Sequence, residues 1–280
     1  VNADLIKGIL SDNQPDLSLH MSRANPVNLA MRGALYDLTK FDDYEEVLTR
    51  FGESSSIPYK YGDGVYALPD TQSFYLMFYR KDILEELDIP VPSTWDEFMA
   101  ATAVLQRNNM NSYIPYTKIA AATTTDTGVG GLNLFASILM QSGGKFYNDS
   151  LNESMLTNTT TLDAFEYWTN MYTQYKLPVE AEFYNRFRVG TCPLGISGYT
   201  QYTTFLQAAP EIQGRWGIAL VPGIKQEDGS INRTVSGSGT GCAILEKSEN
   251  KEEAWEFLKW WTSDETQLRY NSNVESILGA

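Results

Sequence analysis

Gly62-Asp63-Gly64-Val65-Tyr66-Ala67-Leu68-Pro69 leads into the apolar run Phe74–Tyr79, then Arg80-Lys81-Asp82, and then Pro92-Ser93-Thr94-Trp95-Asp96-Glu97-Phe98. Gly62 and Gly64 permit a tight turn, and Pro69 is expected to close the strand that follows it. Phe74–Tyr79 is continuously apolar and aromatic over a strand's length. Thr94 with Glu97 three positions on is a capping box, and Phe98, Ala101 and Leu105 supply the buried stripe of the helix it opens. A turn, a strand and a capped helix in this order are the beginning of an α/β pattern.

The pattern continues outward. Upstream, Leu17-Ser18-Leu19-His20-Met21 reads as a strand after the turn Asn13-Gln14-Pro15-Asp16. Leu5, Ile6, Ile9 and Leu10 give the first residues a helical stripe, and Phe41, Tyr44, Leu48 and Phe51 share a helical face. Downstream, helices are expected near 162–176 (Leu162, Phe165, Trp168, Met171, Tyr175), after Asn250 and after Ser263. Strand-like pieces lie at Cys192–Ile196, Gly217–Val221 and Gly241–Leu245. Alternating strands and helices argue for α/β architecture, and 280 residues suit two domains.

Composition removes several classes of function. A net charge of −14 repels phosphate backbones, so no nucleic acid is expected as partner. One histidine and two cysteines far apart in sequence leave little for a metal site, a His-activated nucleophile or a disulfide framework. No nucleotide-binding fingerprint, phosphate loop or nucleophile elbow is present, and no cofactor is expected. Gly237-Ser238-Gly239-Thr240-Gly241 lacks the lysine of a phosphate cradle and reads as a close backbone crossing. The 17 Tyr, 12 Phe and 6 Trp exceed what a core alone needs and suit a surface that grips flat, polar ligands.

Further pieces complete an ordered series. They are Pro15-Asp16, Gly33-Ala34-Leu35-Tyr36-Asp37-Leu38-Thr39, Gln141-Ser142-Gly143-Gly144, Phe187-Arg188-Val189-Gly190, Ile196-Ser197-Gly198-Tyr199 and Ala254-Trp255-Glu256-Phe257-Leu258. The series resembles the extracellular solute-binding proteins of the maltose-binding type, which serve ABC importers, over nearly the whole chain. The resemblance implies a two-lobe periplasmic-binding-protein-like fold of type II with a ligand cleft between the lobes. Residues 1–69 with 235–263 would form the N-terminal lobe, and 70–234 with 264–280 the C-terminal lobe, with crossings near 70, 235 and 263. Compared with the family, the chain lacks the first strand and helix and the last helical segments, so the N-terminal lobe is expected to be incomplete. An extracellular or periplasmic, lipid-anchored monomer that delivers its ligand to ABC permease subunits is what the resemblance implies.

Loops at strand ends facing a cleft carry ligand contacts in such folds. Carried over by position, these are Met21, Arg23 and Asn25, then Asp70, Gln72 and Ser73, then Asn133, Tyr199, Ser236 and Ser238. They are mostly neutral and polar with an aromatic ring, which suits a carbohydrate better than an anion. Each has a plainer reading: Tyr199 as a surface ring, Arg23 as an exposed charge, Gln72, Ser73 and Asn133 as caps, and the serines as partners for crossing backbone. His20 reads as a strand residue, Trp216 as packing, and Arg186 and Arg188 as salt-bridge donors within a lobe. A glycoside hydrolase, or a sensory module for a ligand that is not a sugar, stays open. A hydrolase would need two carboxylates facing each other at a suitable separation, which the sequence neither requires nor forbids.

Overall fold

Strand and helix signals resolve, in a computed structural model that describes residues 2–22, 24–115, 133–150, 152–179 and 181–278, into two compact units. The first comprises residues 1–72 and 238–280, the second residues 73–237. The chain crosses once at 72/73 and once at 237/238, close to two of the three expected crossings.

The first unit opens with α1 (Asn2–Leu10), β1 (Leu17–Ser22), α2 (Ala24–Ala30) and α3 (Tyr44–Leu48). In α1, Leu5 is buried, whereas Ile6 and Leu10 are exposed. Positions 6 and 10 lie one step round the helix from 5 and 9, so the expected four-residue stripe narrows to one edge. The hairpin β2 (Lys60–Tyr61) and β3 (Gly64–Val65) turns at Gly62 with φ +59°. At Gly64 a Cβ would lie 2.7 Å from an Asp37 carboxylate oxygen. That carboxylate accepts the Val65 N–H at 3.1 Å, so glycine is required by close approach.

β4 (Leu68–Arg80) runs on through Pro69, which therefore does not close a strand. Proline's φ is compatible with extended backbone, and only its donor is lost. The second unit continues with α4 (Lys81–Glu86), α5 (Trp95–Arg107), β5 (Ser112–Tyr113), α6 (Asn133–Gln141), α7 (Thr159–Thr173) and α8 (Phe183–Arg188). It is completed by β6 (Leu194–Gly198), α9 (Gln201–Ala208), β7 (Trp216–Ala219), β8 (Ile224–Lys225) and β9 (Ile231–Asn232). β4 pairs antiparallel with β6 and β7, and β6 pairs parallel with β5. Tyr75 and Met77 of β4 enter one core with α5, α6 and α7, while Leu76 and Phe78 enter another with α8 and α9. Burial on both faces explains why Phe74–Tyr79 has no polar alternation.

The Thr94 capping box forms: Thr94 Oγ1 accepts the Glu97 N–H, and Glu97 accepts the N–H groups of Ser93 and Thr94. Trp95 is then anchored through its indole N–H to Gln141 at 2.8 Å, and Gln141 donates on to the Thr234 carbonyl. Two separate sequence motifs thus meet in one buried polar link.

β10 (Gly237–Ile244), α10 (Lys251–Trp261) and α11 (Asp264–Leu278) return to the first unit. β10 pairs antiparallel with β1, and the core gathers Met21, Leu35, Leu68, Cys242, Ile244, Trp255 and Leu258. Phe41 stacks on Trp255 at 4.6 Å, a contact worth about 1 kcal/mol beyond its burial. The expected placement of 264–280 in the second lobe, with a crossing near 263, is corrected here. Ser263 Oγ accepts the Thr266 N–H and starts α11, which folds back on α10 through Gln267 Nε2 on the Trp261 carbonyl and Tyr270 against the Trp261 ring.

Candidate functional site

In the first unit, the pairing of β1 with β10 slips between Ser18 and Met21, and His20 adopts φ +53°. A bulge of this kind re-aims a side chain, and a left-handed non-glycine residue persists only where its surroundings hold it. The holding group is Asp70. Its carboxylate accepts the His20 backbone N–H at 2.9 Å, faces His20 Nδ1 at 2.9 Å and accepts the Thr240 hydroxyl at 3.3 Å. Thr240 in turn shares a 2.7 Å hydroxyl contact with Thr71.

The Asp70 side chain is 1% exposed and that of His20 45%. A carboxylate accepts, so Nδ1 holds the imidazole hydrogen. Nε2 has no partner among the described residues. The ring stands edge-on to Trp261 at 5.9 Å.

The second unit offers a different surface. β4 is antiparallel to β6, with Tyr75 opposite Gly198, so the start of β4 and the end of β6 share one edge. The Tyr199 N–H extends this ladder to the Phe74 carbonyl at 2.9 Å. The side chains follow: Phe74 stacks on Tyr199 at 5.6 Å, and Tyr199 lies parallel to Tyr202 at 6.5 Å. Phe74 and Tyr199 are 40% and 45% exposed. Ser73 reaches the same edge, since a Cβ on Gly198 would lie 3.9 Å from its hydroxyl. Ser236, just before β10, donates its N–H to the buried hydroxyl of Ser137 in α6 at 3.0 Å.

Ser73 and Tyr199 are therefore brought together at one sheet edge. Ser236 is tied to α6, one turn after Asn133, the first residue of that helix. Gln72 is exposed at the last position of the first unit. Arg23 lies outside the described residues, as do the side chains of Asn133 and Ser238.

Two expectations change, and a third candidate is placed. Met21 is fully buried in the first unit's core, on the inward side of β1, and is a packing residue. Asp70 is buried and engaged by His20 and Thr240, so it positions a neighbour and offers no free carboxylate. Asn25 donates to Ser22 at 2.6 Å and borders a small cavity with Leu5 and Leu29, beside α1.

Phe74 and Tyr202 were not among the sequence candidates. Their signal was present, because Phe74 shares the period-2 face of Leu76 and Phe78, and Tyr202 follows Tyr199 by three across the turn into α9.

Plainer readings hold elsewhere. Trp216 packs against Phe78, Tyr202 and Phe205, and Arg188 pairs with Glu211. The Gly237–Gly241 run lies in β10, where a Cβ on Gly239 would meet the Thr71 carbonyl at 2.3 Å. Gly239 therefore serves a close backbone approach, as expected of this run. Cys192 and Cys242 are free and buried, and burial pushes the Cys192 thiol up to about 12.

Residues 3–268 match the profile of a bacterial extracellular solute-binding protein. The chain is 22% identical over 249 residues to the arabinooligosaccharide-binding protein of Halalkalibacterium halodurans, covering 85% of this chain and 52% of that protein. It is 23% identical over 233 residues to the maltotriose-binding protein of Pyrococcus abyssi, covering 81% and 47%. The chain thus spans about half the length of these curated relatives. Among solved structures, the sugar-binding protein MalE from Xanthomonas citri superposes with a TM-score of 0.77 at 18% identity, covering 99% of this chain and 68% of that one. The α/β fold is that of MalE-type binding proteins.

Proposed function

Because the chain belongs to the bacterial extracellular solute-binding protein family, we propose that it captures a neutral saccharide outside the cell and passes it to the permease subunits of an ABC importer. The observation that carries this reading is the row of half-exposed rings Phe74, Tyr199 and Tyr202 at a strand end, with the neutral hydroxyl of Ser73 beside it. Flat faces suit the C–H faces of a sugar, and hydroxyls suit its rim. The saccharide-binding relatives support the same cargo. The chain acts by binding and release without turnover, as a monomer held at the cell surface by a lipid anchor on the whole protein.

The test is a thermal-shift screen of mono- and oligosaccharides, amino acids, polyamines and metal ions, followed by calorimetry on any hit. A ligand at 100 times its Kd stabilises the native state by about 2.7 kcal/mol. A sugar is expected to raise Tm and the other classes to leave it in place. A shift with polyamines or amino acids and none with sugars overturns the carbohydrate reading. Multiple-turnover release of product from chromogenic glycosides overturns the reading of binding without chemistry.

A further inference from the structure

A second aromatic feature lies in the first unit, beside His20. α10 ends and α11 begins around a cavity of about 280 Å³ bordered by Trp260, Trp261, Glu265, Arg269, Tyr270 and Asn273. Tyr270 meets the Trp261 ring at 5.2 Å, and Trp260 is 6.4 Å from it. Trp260 is 55% exposed and Tyr270 43%.

Glu265 and Arg269 are one helical turn apart and make no ion pair among the described residues, so the border carries both signs of charge and a net charge of zero. The Trp261 indole N–H is buried and has no hydrogen-bond partner in the described structure. An orphaned buried donor is costly unless a ligand or water completes it. The Trp261 ring also meets His20 edge-on at 5.9 Å.

We propose that this cavity is a carbohydrate subsite of the first unit, taking one neutral sugar ring, with Trp260 and Tyr270 as its aromatic faces and Trp261 beside them. The class follows from the border: aromatic planes favour a ring with an apolar face, and uncompensated donors and acceptors of both kinds favour hydroxyls. Balanced charge disfavours an anion or a cation. The volume admits one ring. Through Trp261 the cavity adjoins His20. The proposal rests on the saccharide reading above and extends it to α10 and α11.

The test is calorimetry with the best saccharide of the screen on the wild type, Trp260→Ala, Tyr270→Ala and Tyr199→Ala, together with ¹⁵N spectra of the tryptophan indoles, the Trp261 signal being assigned from Trp261→Phe. Trp260→Ala and Tyr270→Ala are each expected to weaken binding about tenfold while Tm stays near that of the wild type, since both side chains are largely exposed. The Trp261 indole signal is expected to shift on saturation. Should one variant unfold, the indole signal in the wild type still decides. Wild-type affinity in both variants with an unmoved Trp261 signal, while Tyr199→Ala loses binding, overturns this subsite and leaves the saccharide reading intact. If no saccharide binds the wild type, both fall.

Discussion

In the first unit one buried carboxylate, Asp70, holds His20 in place, whereas in the second the candidate contacts are carried by rings stacked along a sheet edge. Asp70 engages three groups at once, the His20 N–H, the His20 imidazole and the Thr240 hydroxyl. Phe74, Tyr199 and Tyr202 have no such anchor and are placed by strand pairing and the turn into α9. The lesson is one of coupling. A polar constellation held by a buried charge ties its site to the unit's stability, while a stacked aromatic edge can be altered with the fold left as it is.

The strongest way to break that contrast is Asp70→Ala. It leaves the His20 N–H and the Thr240 hydroxyl without their acceptor, and is expected to destabilise the protein by about 3 kcal/mol, read as a lower urea midpoint. A midpoint equal to that of the wild type would show that the bulge stands without its carboxylate.

Tyr199→Ala is the counterpart in the second unit. It is expected to weaken saccharide binding about fivefold to tenfold, by calorimetry, with a change in stability below about 0.5 kcal/mol. A large drop in Tm would mean that the edge also holds the fold.

A smaller effect separates the units by pH. The Arg80 guanidinium, largely buried, holds the Asp82 carboxyl below the usual carboxylate range. A depressed folded value contributes stability that is present above the unfolded carboxylate pKa, about 4, and is lost as pH falls through the folded value. Asp82 is partly exposed, so the contribution is at most about 1 kcal/mol. Asp82→Asn is expected to flatten the acid limb of stability by that amount below about pH 4. An acid limb unchanged in the variant removes Asp82 as a contributor.

The smallest expected effect is no reaction at all. Each unit has one buried cysteine, Cys242 in the first and Cys192 in the second, and burial raises both thiols. Neither is expected to react with a thiol reagent at pH 8 in the native protein. In rising urea, the order in which they become reactive reports which unit opens first. Asp70→Ala should advance Cys242 and leave Cys192 behind.

How far the sequence carried can be judged residue by residue. Thr94 and Glu97 specify their helix start because a capping box is satisfied within four residues. Phe74–Tyr79 reads as a buried strand because a sheet covered on both faces leaves no polar alternation. Tyr199 enters as a candidate through its neighbours Ser197-Gly198, whereas Met21 lies inward, because alternation along a strand tells that faces differ and not which face is inward. α11 was assigned to the wrong unit for a similar reason. Its acidic start predicts a helix, but only the turn at Ser263 and the Tyr270–Trp261 contact bring it back against α10.

The sequence by itself determined the α/β alternation, the capped start of α5 and the family, because each is encoded in contiguous residues or in a series of local motifs. Only the tertiary structure decided that Asp70 supports His20 and offers no free carboxylate, that Phe74 and Tyr202 flank Tyr199, and that α11 belongs to the first unit. Those facts depend on groups distant in the chain, 50 positions apart for His20 and Asp70, meeting at one point. Such meetings are set by burial and hydrogen-bond geometry, which no local pattern of side chains records.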